Sequence, residues 1–300
     1  MKKYRLYQID AFTTEKFKGN PAGVISNADG LKETQMQAIA RELSNSETAF
    51  ILSPSSTDHE VQIRFFTPTT EVPSCGHATI SAHFVRALEN NLPSCRVIQK
   101  IGAGILPVEI IRDDNSYKII ITQGEIEFFE PLSKREKNEI ILALDLTSTD
   151  IDQRCPVQIA STGHSKVMIG IESRDKLNSV KPNLNRLTEI SGKIKCNGYF
   201  VFTLDSDSDE ILTHGRMFAP AIGIAEDPVT GNANGPLGAY LAKHQIVNTE
   251  NDKLIFKARQ GEAIGREGTV EVEVDLQNGS PIRVRVGGSA VVAFKTEIEL

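Results

Sequence analysis

Along the chain, apolar and polar residues alternate far more often than they recur at helical spacing. The stretches RLYQIDAF, VQIRFF, YKIIITQ, KVMIGI, YFVFTL, KLIFKA, TVEVEV and PIRVRV each set apolar side chains on alternate positions, the pattern of a strand with one covered face. Helical spacing is confined to 31–45, where Leu31, Met36, Ile39, Ala40 and Leu43 share one stripe, and to 77–89, 183–194 and 232–244. FKGNPAG at 17–23 reads as a Gly/Pro turn between strands, and DSDSDE at 205–210 as a solvated turn. The fold class this predicts is α+β, rich in antiparallel sheet.

The pattern also repeats once. RFFTPTTEVPSCGHATISAHFV from Arg64 is similar to RMFAPAIGIAEDPVTGNANGPLGAYL from Arg216: each copy has Arg-x-Phe-x-Pro, a polar turn, then Cys75-Gly76-His77-Ala78 or Thr230-Gly231-Asn232-Ala233 opening a helix. The two arginines lie 152 residues apart, about half the chain. Matching Phe50 to Phe200 puts SETAFIL and CNGYFVF in the same register, which makes Asn197 the counterpart of Glu47. The expectation is two pseudo-symmetric domains facing one another, each a strand-rich, barrel-like sheet around a central helix. Residues 1–118 with 289–300 would form the first, and 119–288 the second.

Composition narrows the function. At 40% hydrophobic and 24% charged, 300 residues suffice for real cores, and a net charge of −6 with interspersed signs argues against nucleic-acid binding. MKKYRLYQIDAF has no continuous apolar core, and no stretch reaches the roughly 18 apolar residues of a span, so no membrane partner and a cytoplasmic location are expected. Cys75, Cys95, Cys155 and Cys196 form no C-x-x-C pair, which speaks against structural zinc and a disulfide scaffold. His77 and His83, six apart, do not have the three- or four-residue offset of helical metal ligands, so no metal is expected. No G-x-S-x-G elbow occurs, and the glycines of 261–268 are wrongly spaced for a dinucleotide.

The two glycine turns are the places to look for chemistry. A helix start offers free backbone N–H groups and the positive end of the helix dipole, so Gly76 and Gly231 could hold a carboxylate or an enolate oxygen; plain capping, with Asn232 as N-cap, is the alternative. Cys75 stands where thiols become nucleophilic, but its counterpart Thr230 is no base, which argues against a symmetric two-thiol racemase. His77 could orient a substrate or share its proton, or be a satisfied polar residue at a helix start. Glu47 by itself would be a solvated surface residue, Asp227 part of a turn before Pro228, and Asn20 a turn residue. STGHSK at 161–166 is a second turn of that kind, bringing His164.

FKGNPAGV, SETAF, FTPTTEVPSCGHAT and EDPVTGNANGPLG, four separated motifs in order, resemble the PhzF-like isomerase family, its YddE-type members in particular. More distantly, the doubled plan is similar to diaminopimelate epimerase. The resemblance implies that fold, a substrate held between the halves, no cofactor, and a homodimer as the common assembly. It implies Glu47 as general acid/base, assisted by His77 and Asp227. Asn20, Cys75, Gly76, Thr230, Gly231 and Asn232 would contact a small carboxylate-bearing substrate. The family's namesake has no thiol at the Cys75 position and a serine at that of Asn232. The function expected is a proton shift that moves a double bond. The alternatives are an amino-acid epimerase using Cys75 with Glu47, and a non-catalytic metabolite-binding protein.

Overall fold

The computed structural model describes residues 1–114 and 116–300, and its contacts divide the chain into two compact units, Met1–Thr122 with Gly287–Leu300, and Gln123–Val286. In the first, β1 (Lys3–Ala11) runs antiparallel to β2 (Asn20–Ile25), and β2 parallel to β3 (Thr48–Leu52), with α1 (Glu33–Leu43) as the crossover. Next come β4 (Val61–Phe66), antiparallel to β3, the short β5 (Glu71–Val72), and α2 (Gly76–Asn90). β6 (Cys95–Ile101) lies parallel to β4, followed by antiparallel β7 (Gly104–Asp113) and β8 (Ser116–Thr122). The C-terminal part of β17 (Ser280–Glu299) pairs with both β8 and β1, so the ring of strands closes.

α2 threads this barrel, touching β1, β2, β3, β4, β7 and β8. As far as Ala87 it is largely enclosed, with Ala78, Ile80, Ala82, His83, Val85 and Ala87 all buried, and only its last turn, with Leu88 43% exposed, reaches the surface. Replacing Ile80 by Ala would cost about 2–5 kcal/mol at such a packed centre.

The second unit repeats the plan. The short β9 (Glu127–Phe128) precedes α3 (Lys134–Ala143); β10 (Gln158–Ser161) is antiparallel to β9 and to β11 (Lys166–Ile171). After α4 (Arg174–Ser179) and α5 (Leu184–Ile194), β12 (Tyr199–Thr203) lies parallel to β11, and β13 (Ile211–Ala219) antiparallel to β12. β14 (Ile224–Asp227) and the buried α6 (Gly231–Lys243) lead to β15 (Lys253–Gln260), parallel to β13, then antiparallel β16 (Gly268–Gln277) and β17 (Ser280–Glu299). The Gln123 amide donates to the Val284 carbonyl at 2.9 Å, joining the first segment of the unit to β17. Strand by strand, the parallel and antiparallel steps are those of the first unit. The fold is thus α+β and diaminopimelate epimerase-like.

The shared Arg-x-Phe has a packing reason. Arg64 lies over the Phe66 ring at 5.1 Å and grips Glu71 on β5 with two hydrogen bonds of 2.7 and 2.6 Å; Arg216 lies over Phe218 at 5.0 Å and grips Glu226 on β14 with two of 2.8 Å. Each arginine ties the strand to the short strand that leads into the central helix.

Three expectations need correction. α3 and α4 lie outside the four expected helical stretches: α3 is largely charged and buries only Ile140 and Ala143, and α4 has six residues, too few for periodicity to show. FKGNPAG is only partly a turn, since Asn20 already starts β2; the turn proper ends at Gly19, whose φ of +60° and close approach to the Ala11 carbonyl leave no room for a side chain. The register of the repeat also slips by one. Thr48 pairs with Phe66 and Tyr199 with Phe218, so Thr48 matches Tyr199, and the counterpart of Glu47 is Gly198 rather than Asn197.

Candidate active site

In the first unit, α1 ends at Ser44 in a left-handed conformation (φ 54°), and only Asn45, Ser46 and Glu47 separate it from β3. So short a link, pinned at both ends, fixes Glu47. Its side chain is 16% exposed and that of His77 8%, and His77 Nε2 lies 3.4 Å from Glu47 Oε2. The Ser46 hydroxyl is 3.3 Å from the same nitrogen, and Cys75 Sγ is 3.5 Å from Nδ1 and 3.9 Å from Nε2. Cys75 is the N-cap of α2 without a side-chain capping bond, and Gly76 is the first helical residue. Glu47, Cys75, Gly76 and His77 therefore form one cluster at the start of the helix. Asn20 is buried at the head of β2. His83, deep in α2, hydrogen-bonds Gln99 at 3.0 Å, and burial lowers its pKa to about 4, which keeps it a neutral core residue.

In the second unit, Asp227 ends β14 and Thr230 is the N-cap of α6, again with no side-chain capping bond. The Thr230 hydroxyl donates instead to Asp227 Oδ2. Gln260 on β15 braces both: its amide nitrogen donates to the Asp227 carbonyl (2.8 Å) and to Thr230 Oγ1 (3.0 Å), and its oxygen accepts from the Thr230 amide (3.1 Å) and Asn234 Nδ2 (3.0 Å). Asn232 is the second residue of α6, not its cap, and its Oδ1 accepts from Gln123 Nε2 at 3.2 Å, which also donates to the Gly231 carbonyl at 3.0 Å. Thr162 holds the Gln123 oxygen at 2.6 Å.

Position Gly198, the counterpart of Glu47, is crossed by a lysine: a Cβ there would lie 2.1 Å from Lys166 Cδ. Lys166 is buried, its Nζ donates to the Ser165 carbonyl at 3.2 Å, and burial lowers its pKa against the opposing pull of Cys196 and Asp227. At this position of the repeat the first unit thus has a carboxylate and the second a buried lysine side chain. His164 is exposed in its turn.

Ser46, Gln260, Gln123 and Lys166 were not singled out by the sequence. Ser46 sits in SETAF beside Glu47 and Lys166 closes STGHSK, so both were within reach of motif reading; Gln123 and Gln260 lie on strands or links with no motif around them.

The doubled barrel, the order of the motifs and the Glu47–His77 contact point to one group of proteins, and the sequence model described as "Phenazine biosynthesis-like protein" matches residues 9–296. The chain belongs to the phenazine biosynthesis-like PhzC/PhzF family. It is 57% identical over 300 residues to an uncharacterized isomerase of Clostridium acetobutylicum, covering 100% of this chain and 99% of that one. To the uncharacterized isomerase YddE of Escherichia coli it is 48% identical over 295 residues, 98% of each chain. A trans-2,3-dihydro-3-hydroxyanthranilate isomerase of Pseudomonas chlororaphis is 30% identical over 293 residues, 97% of this chain and 98% of that one. Among solved structures, a PhzF-family phenazine biosynthesis protein of Bacillus anthracis superposes with a TM-score of 0.89 at 30% identity over 100% of both chains. A probable proline racemase from Agrobacterium radiobacter K84 shares the fold, with a TM-score of 0.66 at 12% identity over 99% of this chain and 93% of that one. As a member of this family of isomerases the chain is an enzyme of that class. Among the described residues no helix is long and apolar enough to cross a membrane.

Proposed function

We propose that this isomerase needs no cofactor and moves one proton, and with it a double bond, on a small carboxylate-bearing metabolite. The observation that carries the reading is the 3.4 Å contact between Glu47 Oε2 and His77 Nε2 beside the uncapped start of α2. Glu47 takes a proton from a carbon next to an unsaturated bond; the C–H electrons shift into the conjugated system, and the same carboxyl returns the proton to its far end. His77 orients Glu47 and shares its proton. The N–H groups at Gly76, which the side chain of Cys75 leaves uncapped, hold the charge that develops, and Gly231, beside uncapped Thr230, offers the same kind of anion site within the second unit. Asn20 is a further substrate contact in the first unit; in the second, Asp227, its carboxylate engaged by Thr230, and Asn232 are the polar groups in the corresponding place. Keeping the proton on one shielded carboxyl favours its return to carbon over loss to water. The name of the Pseudomonas chlororaphis relative suggests the substrate class: a cyclic, unsaturated amino carboxylate.

The test is to incubate the enzyme with such compounds, beginning with trans-2,3-dihydro-3-hydroxyanthranilate, and to follow the double bond by proton NMR. A shifted double bond supports the reading. If none of the panel is altered, the chain acts as a metabolite-binding protein or on another class of compound. A second reading has its own observation: Cys75 Sγ lies 3.5 Å from His77 Nδ1, so thiol and carboxyl could serve as two bases of an epimerase. In that case Cys75→Ser abolishes turnover; under the one-base reading it retains measurable turnover.

A further inference from the structure

Within α2 alone, His77 and His83 lack the spacing of helical metal ligands. Folding brings in a donor from elsewhere. One carboxylate oxygen of Glu47, the sulfur of Cys75 and one ring nitrogen of His77 all lie within 4.8 Å of one another. Among the described residues no other trio of His, Cys, Asp or Glu donors converges in this way. We propose that Glu47, Cys75 and His77 form a site for a thiophilic divalent cation of the zinc type, through which the ion switches the enzyme off.

The donor set selects the ion. Thiolate, imidazole and carboxylate are the ligands of zinc, whereas magnesium and calcium want oxygen throughout. Three protein donors with a fourth position open is the pattern of a zinc centre that keeps room for water. The dimensions are close. With bonds of about 2.3 Å to sulfur and about 2.0–2.1 Å to nitrogen and oxygen, a tetrahedral ion sets its ligands roughly 3.3–3.6 Å apart. Here His77 Nε2 is 3.4 Å from Glu47 Oε2 and 3.9 Å from Cys75 Sγ, and sulfur and carboxylate oxygen lie within 4.8 Å of each other, so a movement of the thiol by at most roughly 1.3 Å, within reach of a side-chain adjustment, seats the ion. Cys75 and His77 are held by the first turn of a buried helix, and Glu47 by a three-residue link, so little ordering remains to oppose binding. Binding releases the thiol proton to solvent and occupies a lone pair on both Glu47 and His77. That the bound ion inhibits rests on the proton-transfer role proposed for these two; that the ion binds does not.

Cobalt(II) serves as a visible probe and zinc as its competitor, with no substrate present. The reduced wild-type protein is expected to develop a sulfur-to-cobalt charge-transfer band together with the intense visible bands of tetrahedral cobalt, both removed by one equivalent of zinc. In Cys75→Ser the sulfur band is lost while Cys95, Cys155 and Cys196 remain. Glu47→Gln and His77→Asn each weaken cobalt binding by at least the ~10–100-fold that loss of a mere supporting partner costs. Should a variant fail to fold by circular dichroism, peptide-resolved alkylation of the wild type decides: zinc protects Cys75. The proposal is overturned if the wild type shows no sulfur band, if the band survives Cys75→Ser, or if zinc leaves Cys75 alkylation unchanged. If cobalt binds but Glu47→Gln retains full turnover, the metal site stands and the proton-transfer reading falls.

Discussion

His83 gives the central helix of the first unit a pH limit whose size can be worked out. It is fully buried, less than two turns beyond His77, with Nε2 3.0 Å from the Gln99 oxygen. Burial lowers its pKa from 6.5 to about 4. Between these values the unfolded chain binds a proton that the folded one refuses, so stability is complete above pH ~6.5 and is lost as the pH falls toward 4. The linkage amounts to about 2 kcal/mol at pH 5 and approaches about 3 kcal/mol at full protonation. His83→Gln keeps an N–H to give Gln99 but cannot titrate. Urea unfolding of both proteins at pH 7.5, 6.5, 5.5 and 5, assay settings on the order of one step per unit across the window, should show the wild type losing stability relative to the variant by that amount. Because all other titrating groups are common to both, the difference isolates His83. A difference that stays flat from pH 7.5 to about 5 would refute the buried, neutral His83.

The other predictions concern the matched parts of the two units. Arg216→Met, which strands Glu226 and removes donors from the Leu177 and Val180 carbonyls, should cost about 3–5 kcal/mol in chemical unfolding, whereas Arg64→Met, whose partners are more exposed, costs roughly 1 kcal/mol. Equal losses would deny the difference in burial. Gly198→Ala drives a methyl into Lys166 and should lower stability by about 1–3 kcal/mol, and much of that loss should vanish in a Lys166→Ala background. Additive effects in the double-mutant cycle would show that the two do not share the space. Gln260→Leu removes the brace on Asp227 and Thr230, takes their shared acceptor from the Thr230 amide and Asn234 Nδ2, and should lower stability by about 1–3 kcal/mol in chemical unfolding; an unchanged midpoint would deny the brace.

Reading alternation along the chain reached the class of fold, because strands with one covered face state their burial in every second residue, as β15 and most of β4 do. The central helices were also legible: α2 and α6 open at glycine turns, and their small apolar residues stand out. α3 was not, because its core contact is two residues in a charged segment. The register slip between the units arose where both copies have a phenylalanine: the sequence match paired Phe50 with Phe200, but hydrogen bonding pairs Phe50 with Arg64 and Val201 with Arg216. A one-residue slip in a strand changes which side chain faces which, and it hid the contrast between Glu47 and the Lys166 that crosses Gly198. Within the site, Cys75-Gly76-His77 could be read as a unit because it is contiguous. Glu47 came from motif likeness alone, since its closeness to His77 is made by the β2–β3 crossover and leaves no mark in local spacing. Gln123 and Gln260 act through hydrogen bonds across long sequence distances, which no pattern along the chain encodes.

Proton transfer by Glu47 is tested most directly by running the reaction in deuterium oxide with wild type and Glu47→Gln, following substrate consumption by NMR and label in the product by mass spectrometry in the same tubes. The account predicts turnover in the wild type, with little deuterium entering the new C–H position if the proton is well shielded, and loss of both turnover and exchange in Glu47→Gln, by at least ~100-fold. Turnover that persists in Glu47→Gln at near the wild-type rate would contradict it.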